Sequence, residues 1–307
     1  MSVTLTGKVF QGMDGAYTAL FTPFTGDNRV NVEMIGRMVE YHLSKGLRGF
    51  YLTGSTGEGF LLSEAERKQV VEAVVKANRG RGKVIVHVGC VATDDAVRLA
   101  RHAATCGVDW VSSVGPVYFG QSFEAAYRHY ARIAEATDLP FMVYSIGQEL
   151  VPERDVRLFG IKNVQGIKYT GADYFGAQKL TRMLDKEVIF FAGRDEQLVC
   201  ALALGNVFSG GIGTTYNIIP EHFAKICALA REGRFVEAGA VQDEANRVVA
   251  LMIESENWSY RKAFMKYIGL DCGACRYPYA PLSEAEYAAF AKRIAAQGIV
   301  RADAAVL

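Results

Sequence analysis

Short apolar runs alternate with amphipathic stretches along most of this chain, and that alternation limits its possible folds more than any single motif. The runs are GAYTALFTPF (15–24), GFYLTG (49–54), KVIVHVG (83–89), WVSSVGP (110–116), PFMVYSI (140–146), VQGIKYT (164–170), VIFFAG (188–193) and VFSGGIG (207–213). Each has the length and composition of a strand, and each is followed by a helical pattern. Ser63 and Glu66 form a capping-box pair ahead of Val70, Val71 and Val74 on one helical face. Ser122 is placed as an N-cap before Phe123, Tyr127, Tyr130 and Ile133, which recur at three- and four-residue steps.

Strands that alternate with helices run parallel and are joined by right-handed crossovers. The pattern predicts an α/β fold, a (β/α)8 TIM barrel over residues 1–233. A doubly wound sheet is the alternative, but it needs a Gly-rich first turn, and the first run leads into FTGDNRV (24–30). After residue 233 no strand is expected. FVEAGAVQDEANRVVALMI, SYRKAFMKYIGL and SEAEYAAFAKRIAAQ read as three helices, a C-terminal extension (234–307) packed on the barrel with no linker between. LSEAE occurs at 62–66 and 282–286 as a repeated capping solution.

Composition narrows the function classes. The 307 residues are 50% apolar, enough for one large core, and a net charge of +1 without a basic run argues against nucleic-acid binding. RGRGK (79–83) reads as a solvated loop. No apolar run approaches the roughly 20 residues of a membrane span, and MSVTLTGKVFQGM lacks a secretory apolar region, so a soluble cytoplasmic protein is expected. The cysteines at 90, 106, 200, 227, 272 and 275 are expected to be reduced core thiols. Cys272 and Cys275 have CxxC spacing without a second pair or a histidine cluster. Histidines 42, 87, 102, 129 and 222 are dispersed, so no metal site is expected.

Barrel enzymes carry their chemistry at the C-terminal ends of the strands. Lys168 stands at the end of the sixth run, where an ammonium is costly to bury. An unprotonated amine there can attack a ketone; a lysine that snorkels to solvent or pairs with a carboxylate is the plainer alternative. Tyr144 falls at a matching height on the neighbouring strand, where a phenol can move protons, or simply pack. GSTGE (54–58) offers hydroxyls and backbone N–H groups to a carboxylate or phosphate, but no GK[ST] follows, so it is not a P-loop. GGIGTTYN (210–217) is further loop material for a substrate. Asp195 and Glu196 form a pair of the kind often found at a helix N-terminus.

These elements, with RKAFMKYIGL and RYPYAPLSEAE near the end, resemble the N-acetylneuraminate lyase and dihydrodipicolinate synthase superfamily of class I aldolases. The resemblance covers nearly the whole chain. It implies a Schiff base between Lys168 and a 2-oxo acid, a substrate carboxylate bound by Ser55 and Thr56, and a proton shuttle at Tyr144. It implies too that Tyr118 completes a relay with Thr56 in a neighbouring subunit, in a homotetramer without metal or organic cofactor. The features lean toward the N-acetylneuraminate lyase branch, in which Thr170, Gly193, Asp195, Glu196 and Thr214 would contact a polyol tail. The synthase branch expects an arginine shortly after the strand-5 tyrosine, whereas here YSIGQELVPER places its first arginine at Arg154. Gly147 stands where proline is common, Thr53 where glycine is common, and Arg194 enters the GRDE segment. The activity so implied is a pyruvate-releasing 2-oxo acid lyase. Other 2-keto-3-deoxy sugar acids, a non-catalytic 2-oxo acid binder, and a phosphate-sugar isomerase with a strand-end carboxylate remain alternatives.

Overall fold

In the computed structural model, which describes residues 12–118, 122–205 and 207–301, eight parallel strands close into a barrel in sequence order. They are β1 (Gly15–Ala19), β2 (Gly49–Leu52), β3 (Lys83–His87), β4 (Trp110–Val114), β5 (Phe141–Ser145), β6 (Val164–Tyr169), β7 (Ile189–Ala192) and β8 (Phe208–Gly213). Helices α1 (Val32–Ser44), α2 (Glu64–Asn78), α3 (Thr93–Thr105), α4 (Phe123–Ala134), α5 (Pro152–Asp155), α6 (Tyr174–Arg182), α7 (Leu198–Leu202) and α8 (Pro220–Arg231) follow them in turn. β1 closes on β8 through Tyr17↔Ile212 and Thr18↔Gly213.

Strand parity sorts the side chains into two cores. Phe50, Val84, Val111, Phe141, Ile167 and Phe190 face the helices, while Tyr17, Tyr51, Ile85, Trp110, Met142, Tyr144 and Phe191 fill the barrel. Burying each large side chain contributes about 1.5–3 kcal/mol. The first strand ends well before the apolar run does. Leu20, Phe21 and Phe24 stay buried; Leu20 N–H still bonds the Tyr51 carbonyl of β2, and beyond it the backbone leaves the sheet, with Phe24 N–H bonding the Cys272 carbonyl. The run recorded burial rather than strand.

The extension is helical as expected: α9 (Phe235–Ile253), α10 (Ser259–Tyr267) and α11 (Glu284–Gln297). α9 lies along α8, and Phe290 of α11 meets Tyr260 and Phe264 of α10 edge-on at 4.8 and 5.2 Å. Both LSEAE segments form complete capping boxes. The RGRGK segment is a surface turn whose Arg79 and Arg81 pair with Glu40. Cys227, Cys272 and Cys275 are buried free thiols, but Cys200 is exposed, because its short helix turns that side outward. Among the described residues no helix is long and apolar enough to cross a membrane.

Barrel closure leaves no room for a side chain at Gly210, where a Cβ would sit 1.9 Å from the Gly15 carbonyl oxygen. Gly239, within α9, has nothing within 4 Å of the same position. Gly210→Ala should lower unfolding free energy by about 3 kcal/mol or more, whereas Gly239→Ala should raise it by roughly 0.5–1 kcal/mol. Denaturant melts of the two variants check both signs.

Candidate active site

Lys168 points into the barrel from the last turn of the pleat in β6, flanked by Tyr144 on β5 and Phe191 on β7. It is 5% exposed. Its Nζ lies 4.2 Å from the centroid of the Tyr144 ring and 4.3 Å from that of Tyr51. The two rings meet edge to face at 5.9 Å and 82°. Two ring faces replace the carboxylate that a buried ammonium would otherwise need: among the described residues Lys168 makes no salt bridge.

Tyr51 escapes sequence reasoning, since GFYL is apolar throughout and nothing in it says which parity faces inward. Its hydroxyl pairs with Ser112 Oγ at 3.0 Å, and burial pushes its pKa well above the usual phenol range, so it stays a neutral packing wall. Behind the tyrosines lies His87. Val114 N–H donates to its Nε2 at 3.2 Å, so Nδ1 carries the proton and donates to the Thr53 carbonyl at 3.0 Å. Burial, helped by the Arg67 charge, lowers its pKa to about 3, so the ring is a neutral prop for the cluster.

GSTGE forms the β2–α2 loop. Ser55 is exposed, and the hydroxyl of buried Thr56 meets that of Thr214 at 2.6 Å, joining the loop to the end of β8. Thr53 adopts φ +53, a left-handed conformation natural to glycine, and its hydroxyl lies 2.7 Å from the His87 carbonyl and 2.8 Å from that of Leu52. Glu58, at φ +55, is buried against Lys262 of α10 at 2.7 Å, a long-range partnership with no local sequence signal.

The residues matched to a polyol tail gather at the β6–β8 side of the mouth, although much of their bonding capacity is used internally. Thr170 Oγ1 donates to Ser145 and accepts from Gly147 N–H, both at 2.9 Å. Gly147 has φ +62, which proline cannot adopt. Gly193 N–H bonds the Tyr169 carbonyl, and Arg194 Nε bonds that of Thr170 at 2.9 Å. Glu196, half-exposed, stands 3.5 Å from Arg194. Asp195 does not serve as the N-cap of an α-helix: it opens a 3-10 turn, and its buried carboxylate accepts from Thr215 N–H at 2.7 Å. Tyr118 lies on the β4–α4 connection, 90% exposed at φ +78.

A cavity of about 430 Å³ opens beside β4 and β5, with Tyr144, Ser145, Tyr130 and Arg154 among its walls. Arg154 pairs with Asp155 and lies over the Phe123 ring. Against the expectation of no ligand grouping, Glu72, His102 and Cys106 converge between α2 and α3, because helix packing adds a third donor to an i, i+4 His–Cys pair. The Glu72–His102 hydrogen bond at 2.8 Å already satisfies two of them, on the outer helical layer.

The model of the Dihydrodipicolinate synthetase family matches residues 12–297. The chain is 34% identical over 287 residues to an N-acetylneuraminate lyase of Rhizobium meliloti (strain 1021), covering 92% of this chain and 95% of the relative. It is 35% identical over 276 residues to one of Enterobacter sp. (strain 638), covering 88% and 92%. Among solved structures it is similar to the N-acetylneuraminate lyase of Fusobacterium nucleatum, with a TM-score of 0.87 and 28% identity, covering 94% and 100%. A dihydrodipicolinate synthase superposes with a TM-score of 0.84 at 26% identity, covering 94% and 100%.

Burial raises the Asp195 carboxyl from 3.8 to about 6. The folded chain therefore holds this proton more tightly than the unfolded chain. Its contribution to stability is full below pH 3.8, is lost as pH rises through about 6, and stays lost above. Asp195→Asn, which cannot ionise, should gain up to about 3 kcal/mol over the parent across that window and nothing further at higher pH. Urea melts at a series of pH values measure the difference; one that stays constant with pH would contradict the assignment.

Proposed function

The chain belongs to the dihydrodipicolinate synthetase family, and from that premise we propose that it is a Schiff-base-forming 2-oxo acid lyase that releases pyruvate, with N-acetylneuraminate as its substrate. The observation that carries this reading is the Lys168 amine, buried between the Tyr51 and Tyr144 rings and, among the described residues, in no salt bridge.

In this reading Ser55 and Thr56 hold the substrate carboxylate, and the unprotonated Lys168 amine adds to the C2 keto carbon. The carbinolamine hydroxyl takes the Tyr144 phenol proton and leaves as water, giving the protonated imine. The Tyr144 phenolate then accepts the C4 hydroxyl proton. The C3–C4 bond breaks, its electron pair forms the enamine, and the aldehyde departs. Tyr144 returns the proton to C3, and water hydrolyses the imine to free pyruvate and the amine. The imine is the electron sink, so this route calls for no metal or organic cofactor. We assign Tyr118 to the relay of a neighbouring subunit in a homotetramer, which its exposure and positive φ support.

The β5–α5 loop favours the lyase branch over the synthase. Where a second substrate carboxylate would need an arginine, the loop carries Glu149, bonded to Tyr169 and to the Ala172 and Asp173 N–H groups. Those bonds, the Tyr169 hydroxyl first, hold its carboxyl below the usual range, so the loop stays anionic. One observation favours a second substrate class: Arg194 brings a guanidinium to the mouth, 3.5 Å from Glu196, and suits a 2-keto-3-deoxy sugar acid with an acidic tail.

A pyruvate-release assay across N-acetylneuraminate and several 2-keto-3-deoxy sugar acids tests both readings. Release from N-acetylneuraminate is expected, and release only from acid-tailed substrates would transfer the assignment to the second class. Lys168→Ala should abolish turnover, and Tyr144→Phe should cut kcat by about a hundredfold or more. Turnover by Lys168→Ala at the parent rate would refute the mechanism.

A further inference from the structure

Outside the reacting cluster lies a second buried lysine, and its surroundings are of a different kind. The side chains of Lys262 on α10 and Glu58 in the β2–α2 loop are 2% and 1% exposed. An ammonium carries three N–H donors. The Lys262 Nζ donates to the Thr22 carbonyl at 2.8 Å and the Ala274 carbonyl at 3.3 Å, and stands 2.7 Å from Glu58 Oε1 as an ion pair. The other carboxylate oxygen of Glu58 accepts from Arg276 N–H at 2.8 Å. The Arg276 guanidinium bonds the Leu61 carbonyl, further along the same loop, and Glu66 in the first turn of α2. Thr22, on the β1–α1 connection, also donates its hydroxyl to the Gly57 carbonyl at 2.7 Å.

The pair is therefore the centre of a clasp that joins the C-terminal extension, the first β–α connection and GSTGE. A buried ion pair is weak support for stability, because desolvation offsets most of its Coulomb energy. What it offers is a fixed position. Glu58 ends the GSTGE segment whose Ser55 and Thr56 face the substrate carboxylate in the proposed reaction, its N–H bonds the Ser55 carbonyl at 3.0 Å, and its left-handed backbone is a strained position that the clasp helps to hold.

We propose that Glu58 and Lys262 are positioning residues for 2-oxo acid binding: the C-terminal extension sets the Ser55–Thr56 backbone through this pair and thereby tunes affinity for the substrate carboxylate. The proposal rests on the 2-oxo acid reading of that loop. Neither residue touches the reacting atoms. Loss of the clasp should weaken carboxylate binding while leaving the Lys168–Tyr144 chemistry nearly intact once the site is filled.

The test is exchange of the pyruvate methyl protons for deuterium in D2O, followed by NMR as a function of pyruvate concentration, for the parent, Glu58→Gln, Lys262→Met and the double variant. For each single variant we expect half-saturating pyruvate to rise about tenfold with the saturated rate within about threefold, and Lys262→Arg to restore part of the affinity. The double variant should be no worse than the weaker single one, as a shared interaction requires. If the neutral variants do not fold, Glu58→Asp keeps the charge but draws the carboxylate back by one methylene, and it should still raise half-saturation. Folded variants that melt earlier yet saturate at the parent's pyruvate concentration would overturn the proposal. No exchange by the parent protein would instead refute the 2-oxo acid reading beneath it.

Discussion

An amine at the centre of a barrel, in no salt bridge among the described residues, is the constraint around which this structure is arranged. A buried ammonium costs several kcal/mol unless something replaces its hydration. Here two ring faces about 4 Å away offer partial compensation, Phe191 walls the third side, and the neutral His87 behind them adds no charge of either sign. A salt bridge would satisfy the lysine better and hold it as an ammonium. The register Tyr144↔Lys168 sets a phenol on the adjacent strand beside it.

That register depends on a mouth that does not flex, and side chains tie it together strand by strand. Glu149 and Thr170 join the β5 and β6 loops, Arg194 joins β7 to β6, Asp195 joins β7 to the turn after β8, and Thr214 joins β8 to Thr56. Asn217 then closes the ring by donating to the Ala19 carbonyl at 2.7 Å. The same residues that a polyol substrate would touch are thus already oriented by bonds to one another, which is how a binding surface is preorganised before a ligand arrives. The C-terminal extension adds bonds from outside the barrel, through Lys262 of α10 and Arg276 between α10 and α11.

Much of the architecture was legible in the sequence because it is periodic. Eight alternating runs and two capping boxes predict the barrel and its helices, and the placement of Lys168 and Tyr144 near the ends of neighbouring runs anticipates their contact. What was not legible is what depends on parity or distance. Tyr51 is indistinguishable from Phe50 until the barrel closes. Glu58 and Lys262 lie 204 positions apart by number, and only the folded chain makes them partners. Asp195 looked like a helix start because the backbone donor of its bond, Thr215 N–H, comes from another strand's turn. Strand ends were overestimated wherever buried loop residues, such as Leu20 and Phe21, continue an apolar run.

Lys168 and Lys262 are both buried, and among the described residues the second makes a salt bridge and the first does not. Reduction with borohydride in the presence of pyruvate, followed by peptide mapping, separates their roles directly. A single adduct on the peptide carrying Lys168, absent when pyruvate is omitted, is the predicted result. A protein that remains unmodified, or an adduct at Lys262 or a surface lysine in its place, would contradict it.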